Sequence, residues 1–336
     1  MNLLIIARAD KSGLGYQTRN LTYMLRPERV LVIDSTPFNG NEQHFDWYEN
    51  FDHKKVYGYP RSSQLIRMLD GITHVLVCET PMNHNLFRLC QARGIKSYLV
   101  GNYEFLDFLK SPVPTPYKLI MPSTWNLDKL TEYNPVHIPT PIFPEDFAKA
   151  RETNFNRTGR KRFVHVIGKQ ATNDRNGTQE LIQALQHTSK DFELVIKCQH
   201  EVDINTDDPR VTLDTRNAVE NEELYTDFDA LILPRRYGGQ SLTVNEALMS
   251  GLPVIMPNIS PNEFLNPRWL VEAEPKEIFH AKTEVQTYSV KPKHLAGTID
   301  WLVDTDLSEQ KTLAFAIGHQ FSPSVVKPKF EELFND

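Results

Sequence analysis

The feature that most restricts the fold of this chain is a repeated alternation of short, continuously apolar runs with helical patterns. Asn2-Leu-Leu-Ile-Ile-Ala7 reads as a buried strand, followed by a glycine-containing loop and a helix from about Tyr16 to Leu25. Val30–Ile33 and His74–Val77 are strands that end at Asp34 and Glu79; a helix through Leu86–Ala92 and the strand Lys96–Val100 follow. Strands buried on one face alternate polar and apolar residues, whereas these runs do not. The pattern therefore predicts parallel sheets covered by helices on both faces.

The alternation runs through the chain twice. Residues 111–116 and 139–144 are proline-rich, and the second run, together with the polar stretch Arg151–Lys161, reads as an interdomain linker. Beyond it come strands at Phe163–Ile167, Phe192–Cys198, Val211–Leu213, Ala230–Leu233 and Pro253–Met256. Helical patterns begin at Gly177, Asn221 and Ser241, and two more lie near His294–Val303 and Lys327–Phe334. A length of 336 residues suits two domains. The expected boundaries are 1–148, 149–310 and a C-terminal helix in 311–336. In such sheets ligands bind beyond the carboxyl ends of the strands. Asp10–Gly15, Asp34, Glu79, Asn102–Glu104, Gly168, Asp214–Asn217, Pro234–Ser241 and Pro257 are then the functional rims.

Charge and cysteine content exclude several classes. The net charge of −6 argues against a general polyanion binder. Residues 1–150 carry 16 basic and 15 acidic side chains, and the remainder 21 and 28. Cys78, Cys90 and Cys198 are too few for a disulfide framework and lack the spacing of a zinc site, so a reducing cytoplasm is the expected setting. Leu3–Ala7 is too short for a signal-peptide core, and no run approaches the ~20 apolar residues of a membrane span.

The chemistry concentrates in Ala230–Val254, which includes Arg235, Arg236, Gly238, Gly239, Gln240, Ser241, Leu242 and Thr243. A buried strand meets a two-glycine turn; a helix opens near Ser241, a residue suited to capping it, and ends at Gly251 with Pro253 just beyond. A helix start on the rim of a parallel sheet is a natural phosphate site, favoured by ~0.3–1 kcal/mol from the dipole when exposed. Glu246 lies one and a half turns into the helix and leans back toward its start. A carboxylate there repels phosphate but accepts hydrogen bonds from adjacent hydroxyls, as a ribose beside a diphosphate requires. Arg235 and Arg236, at the strand end, suit either a phosphate contact or a salt bridge.

This segment resembles the donor-site signature of retaining GT-B glycosyltransferases of the large family 4 group. The pattern there is a Glu-Gly-Phe-Gly-Leu run, a Glu-Ala pair three residues on, and Gly-x-Pro-Val. Gly239, Leu242, Glu246, Ala247, Gly251, Pro253 and Val254 match; Gly238 replaces the first glutamate and Ser241 the second glycine. The resemblance implies that Glu246 contacts the ribose, and it leaves the contact to the transferred sugar without its usual acid. Val166-Ile-Gly-Lys-Gln and Asp174-Arg-Asn-Gly177 resemble the family's phosphate clamp, with Lys169 at its arginine position and Asn176 at its lysine position, so that Arg175 supplies the second charge. Lys169 would stabilise the leaving diphosphate. Ser12-Gly-Leu-Gly-Tyr-Gln resembles the family's N-terminal loop, placing Gly13 and Gly15 near the donor phosphate.

The resemblance implies two facing Rossmann-like domains, a last helix in 311–336 that packs back on the first of them, a nucleotide-sugar donor such as UDP-glucose, retention at the anomeric carbon, and no required metal or cofactor. It needs no protein nucleophile, and no Ser/His/Asp or Cys/His constellation stands out. Glu79 and Glu104, closing two N-terminal strands, are candidates to orient or deprotonate the acceptor hydroxyl. Asp214–Asn217 is a candidate for reading the nucleobase. The acceptor is a saccharide or a lipid-linked sugar, or alternatively a hydroxylated DNA base, as in compact phage-type members. Two competing functions fit the same two-domain build: a sugar-nucleotide epimerase and a non-catalytic binding module.

Overall fold

The computed structural model describes residues 1–106, 109, 113–168, 174–199, 204, 206–216 and 218–336. The chain forms two compact units: Met1–Pro141 with His280–Glu284 and Pro323–Asp336, and Ile142–Phe279 with Val285–Ser322.

The first unit contains β1 (Leu3–Arg8), α1 (Gly13–Leu25), β2 (Arg29–Asp34), α2 (Thr36–Asn39), β3 (His53–Tyr57), α3 (Ser62–Met68), β4 (His74–Cys78), α4 (Leu86–Ala92), β5 (Lys96–Val100), β6 (Lys118–Met121) and β7 (Val136–His137). Its strands form one sheet in the order β3-β2-β1-β4-β5-β6-β7, with every pairing parallel. β1, β2 and β4 are almost wholly buried, as their unbroken apolar runs require. β3 was not legible in the sequence. It is an edge strand, His-Lys-Lys-Val-Tyr, in which only Val56 is buried, and lysines on an edge are a common device against further strand pairing.

The second unit begins with α5 (Ala148–Phe155). There follow β8 (Arg162–Gly168), α6 (Thr178–Leu185), β9 (Glu193–Cys198), β10 (Val211–Asp214), β11 (Ala230–Ile232), α7 (Leu242–Met249), β12 (Val254–Pro257) and β13 (Leu270–Val271). β14 (Ala273–His280) and β15 (Glu284–Val290) pair as a separate two-stranded sheet; α8 (Pro292–Asp304) and α9 (Ser308–Gly318) complete the unit. The main sheet has the order β10-β9-β8-β11-β12-β13 and is again parallel. The expected linker after residue 150 is partly helical instead: Asn154 of α5 is buried and its amide donates to the Tyr225 and Ser250 carbonyls at 2.9 Å. A charge network reinforces this packing. Asp229 accepts from Lys311 at 2.9 Å and Arg157 at 2.7 Å, and Lys311 also donates to the Asn154 carbonyl.

The last helix, α10 (Pro323–Asn335), belongs to the first unit. It buries Val326, Phe330, Leu333 and Phe334, with the Phe334 ring 4.9 Å from that of Tyr98. No helix among the described residues is long and apolar enough to cross a membrane.

In both sheets the strand order reverses at one place, between β1 and β4 and between β8 and β11. These are the switch points at which open α/β sheets leave a crevice for ligands.

Candidate functional site

At the second unit's switch point, the loop following β11 meets the loop preceding α6 backbone to backbone. Gly177 has φ +70°, and a Cβ on it would fall 2.1 Å from the Pro234 carbonyl oxygen. The Arg236 N–H donates to the Arg175 carbonyl at 2.8 Å. Asp174 holds the start of α6, accepting from the Thr178 and Gln179 N–H groups at 2.9 Å, while the Asn176 amide donates to the Ile167 carbonyl at 3.1 Å. Asn176 therefore anchors its loop to β8, and Arg175 is the charged member of the pair. Lys169 lies outside the described residues.

These contacts bring two arginines together over Gly238. Its φ is +125°, and a Cβ there would lie 2.4 Å from Arg235 Nη2 and 2.5 Å from Arg175 Nη2. The absence of a side chain is what allows both guanidinium groups to reach one point. Arg235 is 8% exposed and also contacts the Gln240 carbonyl at 3.3 Å; Arg175 lies over the Tyr237 ring at 5.1 Å. Two guanidinium groups at one spot offer several N–H donors to a single anion. The next feature along the chain is the start of α7, where Gln240, Ser241, Leu242 and Thr243 are half-exposed. Ser241 does not cap this helix as its identity suggested; its side chain makes no capping hydrogen bond.

The remaining sequence candidates fall differently. Arg236 is committed to structure: it pairs with Glu277 at 2.6 Å and Glu180 at 3.7 Å and donates to the Tyr288 carbonyl. Glu246 is 5% exposed, and its carboxylate accepts from Asn221 at 2.9 Å and from the Tyr225 hydroxyl at 2.5 Å. Burial pushes its pKa up, and the two hydrogen bonds pull against that rise. Two donors leave part of the carboxylate's acceptor capacity unused. Asn221 and Tyr225 carry no motif, and the sequence gives no signal of their part here. Asp214 pairs with Arg216 at 2.8 Å and Lys197 at 3.4 Å, and the bonds from Arg216 depress its pKa despite the opposing effect of burial. Asn217 lies outside the described residues.

At the first unit's switch point, Ser12 caps α1 by accepting from the Gly15 N–H at 3.2 Å. A Cβ on Gly15 would lie 1.8 Å from the Asp10 carbonyl oxygen, so no larger residue fits; Gly13 is exposed in the same turn. Asp10 is fully buried and collects donors from three places: Ser12 at 2.6 Å, Arg8 at 2.5 Å and Asn39 at 2.6 Å, with Ser35 and Asn41 slightly farther. Burial alone would raise its pKa, but these bonds outweigh it and hold the group at about 2. Asp10 thus ties the glycine loop to the segment after β2, a role that its place at a strand end does not by itself reveal.

Glu79 follows β4 in a left-handed conformation, φ +64°, that costs a non-glycine residue about 1–3 kcal/mol. It is half-exposed and borders a small cavity with His84, Phe87, Leu99 and Leu106. Glu104 is 4% exposed, within a short turn at Tyr103–Phe105, and is not an open rim group. The three cysteines are buried free thiols. His165 bridges β8, β11 and α6: Nδ1 meets the Ile232 carbonyl at 2.7 Å and Nε2 the Thr178 hydroxyl at 2.9 Å.

No protein-family model and no curated protein sequence matches the chain. Solved structures do. A glycosyltransferase from Rickettsia africae ESF-5 matches with a TM-score of 0.69 and 14% identity, over 99% of this chain and 97% of that one. HepE of Anabaena matches in its UDP complex, with a TM-score of 0.66 and 12% identity over 100% of both chains. The same protein with UDP-glucose gives 0.65 and 12%, over 100% and 99%. The likeness is one of fold: an α/β chain of the GT-B glycosyltransferase type, with two consecutive parallel sheets.

Proposed function

We propose that this protein is a glycosyltransferase that takes a hexose or similar sugar from a nucleoside-diphosphate donor and transfers it to an acceptor hydroxyl. The observation that carries this reading is the convergence of Arg175 and Arg235 over Gly238, one turn before α7 opens. Two guanidinium groups beside a helix start offer planar, charge-assisted donors to a diphosphate and stabilise the charge it gains on leaving. Lys169 joins them in this reading. Glu246, fixed by Asn221 and Tyr225, accepts from the ribose hydroxyls. The fold supports the assignment, since HepE of Anabaena, of like fold, was solved with UDP and with UDP-glucose.

The second unit is then the donor side and the first the acceptor side. The Gly15 N–H is taken by Ser12 and so is not a donor to the phosphate, and Glu79, a half-exposed carboxylate after β4, orients the acceptor hydroxyl in this reading. We further propose retention, metal-independent turnover and a cytoplasmic setting. The test is turnover: the protein is incubated with UDP- and other nucleotide-sugars, with and without saccharide and hydroxymethylated DNA acceptors, and free nucleoside diphosphate is measured. Acceptor-dependent release is expected, and no release with any pair counts against transfer.

A further inference from the structure

The first unit carries an aromatic surface that none of the residues assigned above uses. β3 ends at Tyr57, which is 75% exposed, and after Gly58 comes Tyr59, 59% exposed. Phe38 of α2, 47% exposed, stacks on Tyr59 with ring centroids 4.2 Å apart and planes 26° from parallel. Large rings are the side chains a fold gains most by burying, at about 150–250 Å² each. Here three are left exposed, one on α2, one at the end of β3 and one just beyond it.

Their arrangement is built. Gly58 has φ +69°, its N–H donates to the Asp34 carbonyl at 3.0 Å, and the Phe38 ring lies against it, 3.5 Å from where a Cβ would be. Asp34 and Tyr57 are the carboxyl ends of the paired strands β2 and β3, so the rings stand on the ligand-binding rim of the sheet. The Asn83 amide donates to the Pro60 carbonyl at 2.7 Å and that of Asn85 to the Ser62 hydroxyl at 3.3 Å. The aromatic loop is thereby joined to the loop after β4, which opens with Glu79.

Charge selects the ligand. Residues 34–61 hold five carboxylates (Asp34, Glu42, Asp46, Glu49 and Asp52) against three cations (Lys54, Lys55 and Arg61), and Asp52 is paired with Arg29 outside that stretch, so the segment has no excess of cations. A nucleic-acid backbone binds where cations are in excess. A neutral pyranose needs none: its C–H face packs on the electron-rich face of an aromatic ring, and its hydroxyls meet tyrosine hydroxyls that both donate and accept. Resting on the glycosyltransferase reading, we propose that Phe38, Tyr57 and Tyr59 form the acceptor platform and that the acceptor is a neutral saccharide stacked on it.

The test uses the full chain on an array of neutral hexose and N-acetylhexosamine oligomers, acidic glycans and duplex DNA containing 5-hydroxymethylcytosine. Two double variants accompany it: Phe38→Ala/Tyr59→Ala, and Phe38→Leu/Tyr59→Leu, which keeps apolar area but has no ring face. The expected result is retention of neutral glycans by the wild type and a loss of about tenfold or more in both variants, the size of one or two stacking contacts. UDP affinity and the thermal unfolding profile, measured alongside, stay unchanged in the variants, and the unfolding profile reports that the first unit, which carries the substitutions, is folded. No retained neutral glycan, unchanged binding by either variant, or retention confined to acidic glycans or DNA overturns the proposal. Failure of the wild type to bind UDP overturns the donor reading instead, and leaves the glycan result to stand or fall by itself.

Discussion

Replacing Gly238 with glutamate puts an acid into the space where Arg175 and Arg235 converge. The new Cβ would start 2.4 and 2.5 Å from the two Nη2 atoms, so both guanidinium groups must shift. They are the far ends of flexible chains, and the shift itself is cheap. The backbone is not: a residue with a side chain at φ +125° costs about 1–3 kcal/mol of stability. The larger effect falls on the ligand. A glutamate within reach of both cations competes with the diphosphate, and a hydrogen bond to a charged group contributes about 1.5–3 kcal/mol. Losing two lowers UDP affinity by roughly 3–6 kcal/mol, a factor of about 10²–10⁴. Titration calorimetry with UDP reads the affinity, and thermal unfolding reads the backbone cost separately. Gly238→Ala adds the clash and the strain without the charge, and is expected to lose much less UDP affinity than the glutamate variant. If Gly238→Glu binds UDP within about threefold of the wild type, corresponding to less than ~1 kcal/mol, the arginine pair does not bind the diphosphate.

Four further outcomes follow from the same geometry. Glu246→Gln should weaken UDP binding about tenfold and reduce discrimination against the 2′-deoxy nucleotide; unchanged affinity for both removes the ribose assignment. His165 is held neutral by burial down to about 4 from an ordinary 6.5, with the Ile232 carbonyl opposing the fall, so the unfolded chain takes up the proton first. Stability should therefore decline as pH drops from 6.5 toward 4, by at most about 3 kcal/mol, and the slope should flatten in His165→Gln, as denaturant titrations across that range would detect. Asp10 adds to the acid side: its folded pKa of about 2 lies below its ordinary 3.8, so its contribution is present above 3.8 and is lost as pH falls toward 2, and Asp10→Ala should lose that component. Asp229→Ala leaves Lys311 buried without its carboxylate, while Arg157 keeps Asp227, and should cost about 3–5 kcal/mol by denaturant unfolding; a cost below ~1 kcal/mol would show that the network carries little.

Much of this was legible in the residues alone. Continuous apolar runs such as Leu3–Ala7 and Ala230–Leu233 need cover on both faces, and only helices on both sides of a parallel sheet provide it. Gly15, Gly177 and Gly238 mark places where backbone or guanidinium atoms approach too closely for any side chain, and a glycine at a strand end is a local signal of such an approach. Edge strands are less visible. β3 carries the polar residues of an unpaired edge rather than a buried run, and α5 hides a buried asparagine in a polar stretch that resembles a linker.

Tertiary structure decided which side chains meet. Arg175 and Arg235 are 60 residues apart in number, and their convergence depends on β8 and β11 being neighbours in the sheet. Arg236, identical in type and adjacent in sequence, is taken instead by Glu277 and Glu180. Glu246 is legible as a helical carboxylate near a phosphate site, but its burial and its fixation by Asn221 and Tyr225 come from a turn that is remote in sequence. The pattern of apolar residues is set by local periodicity and so can be read along the chain. The partner of a polar side chain is set by strand order and loop packing, which no local pattern encodes.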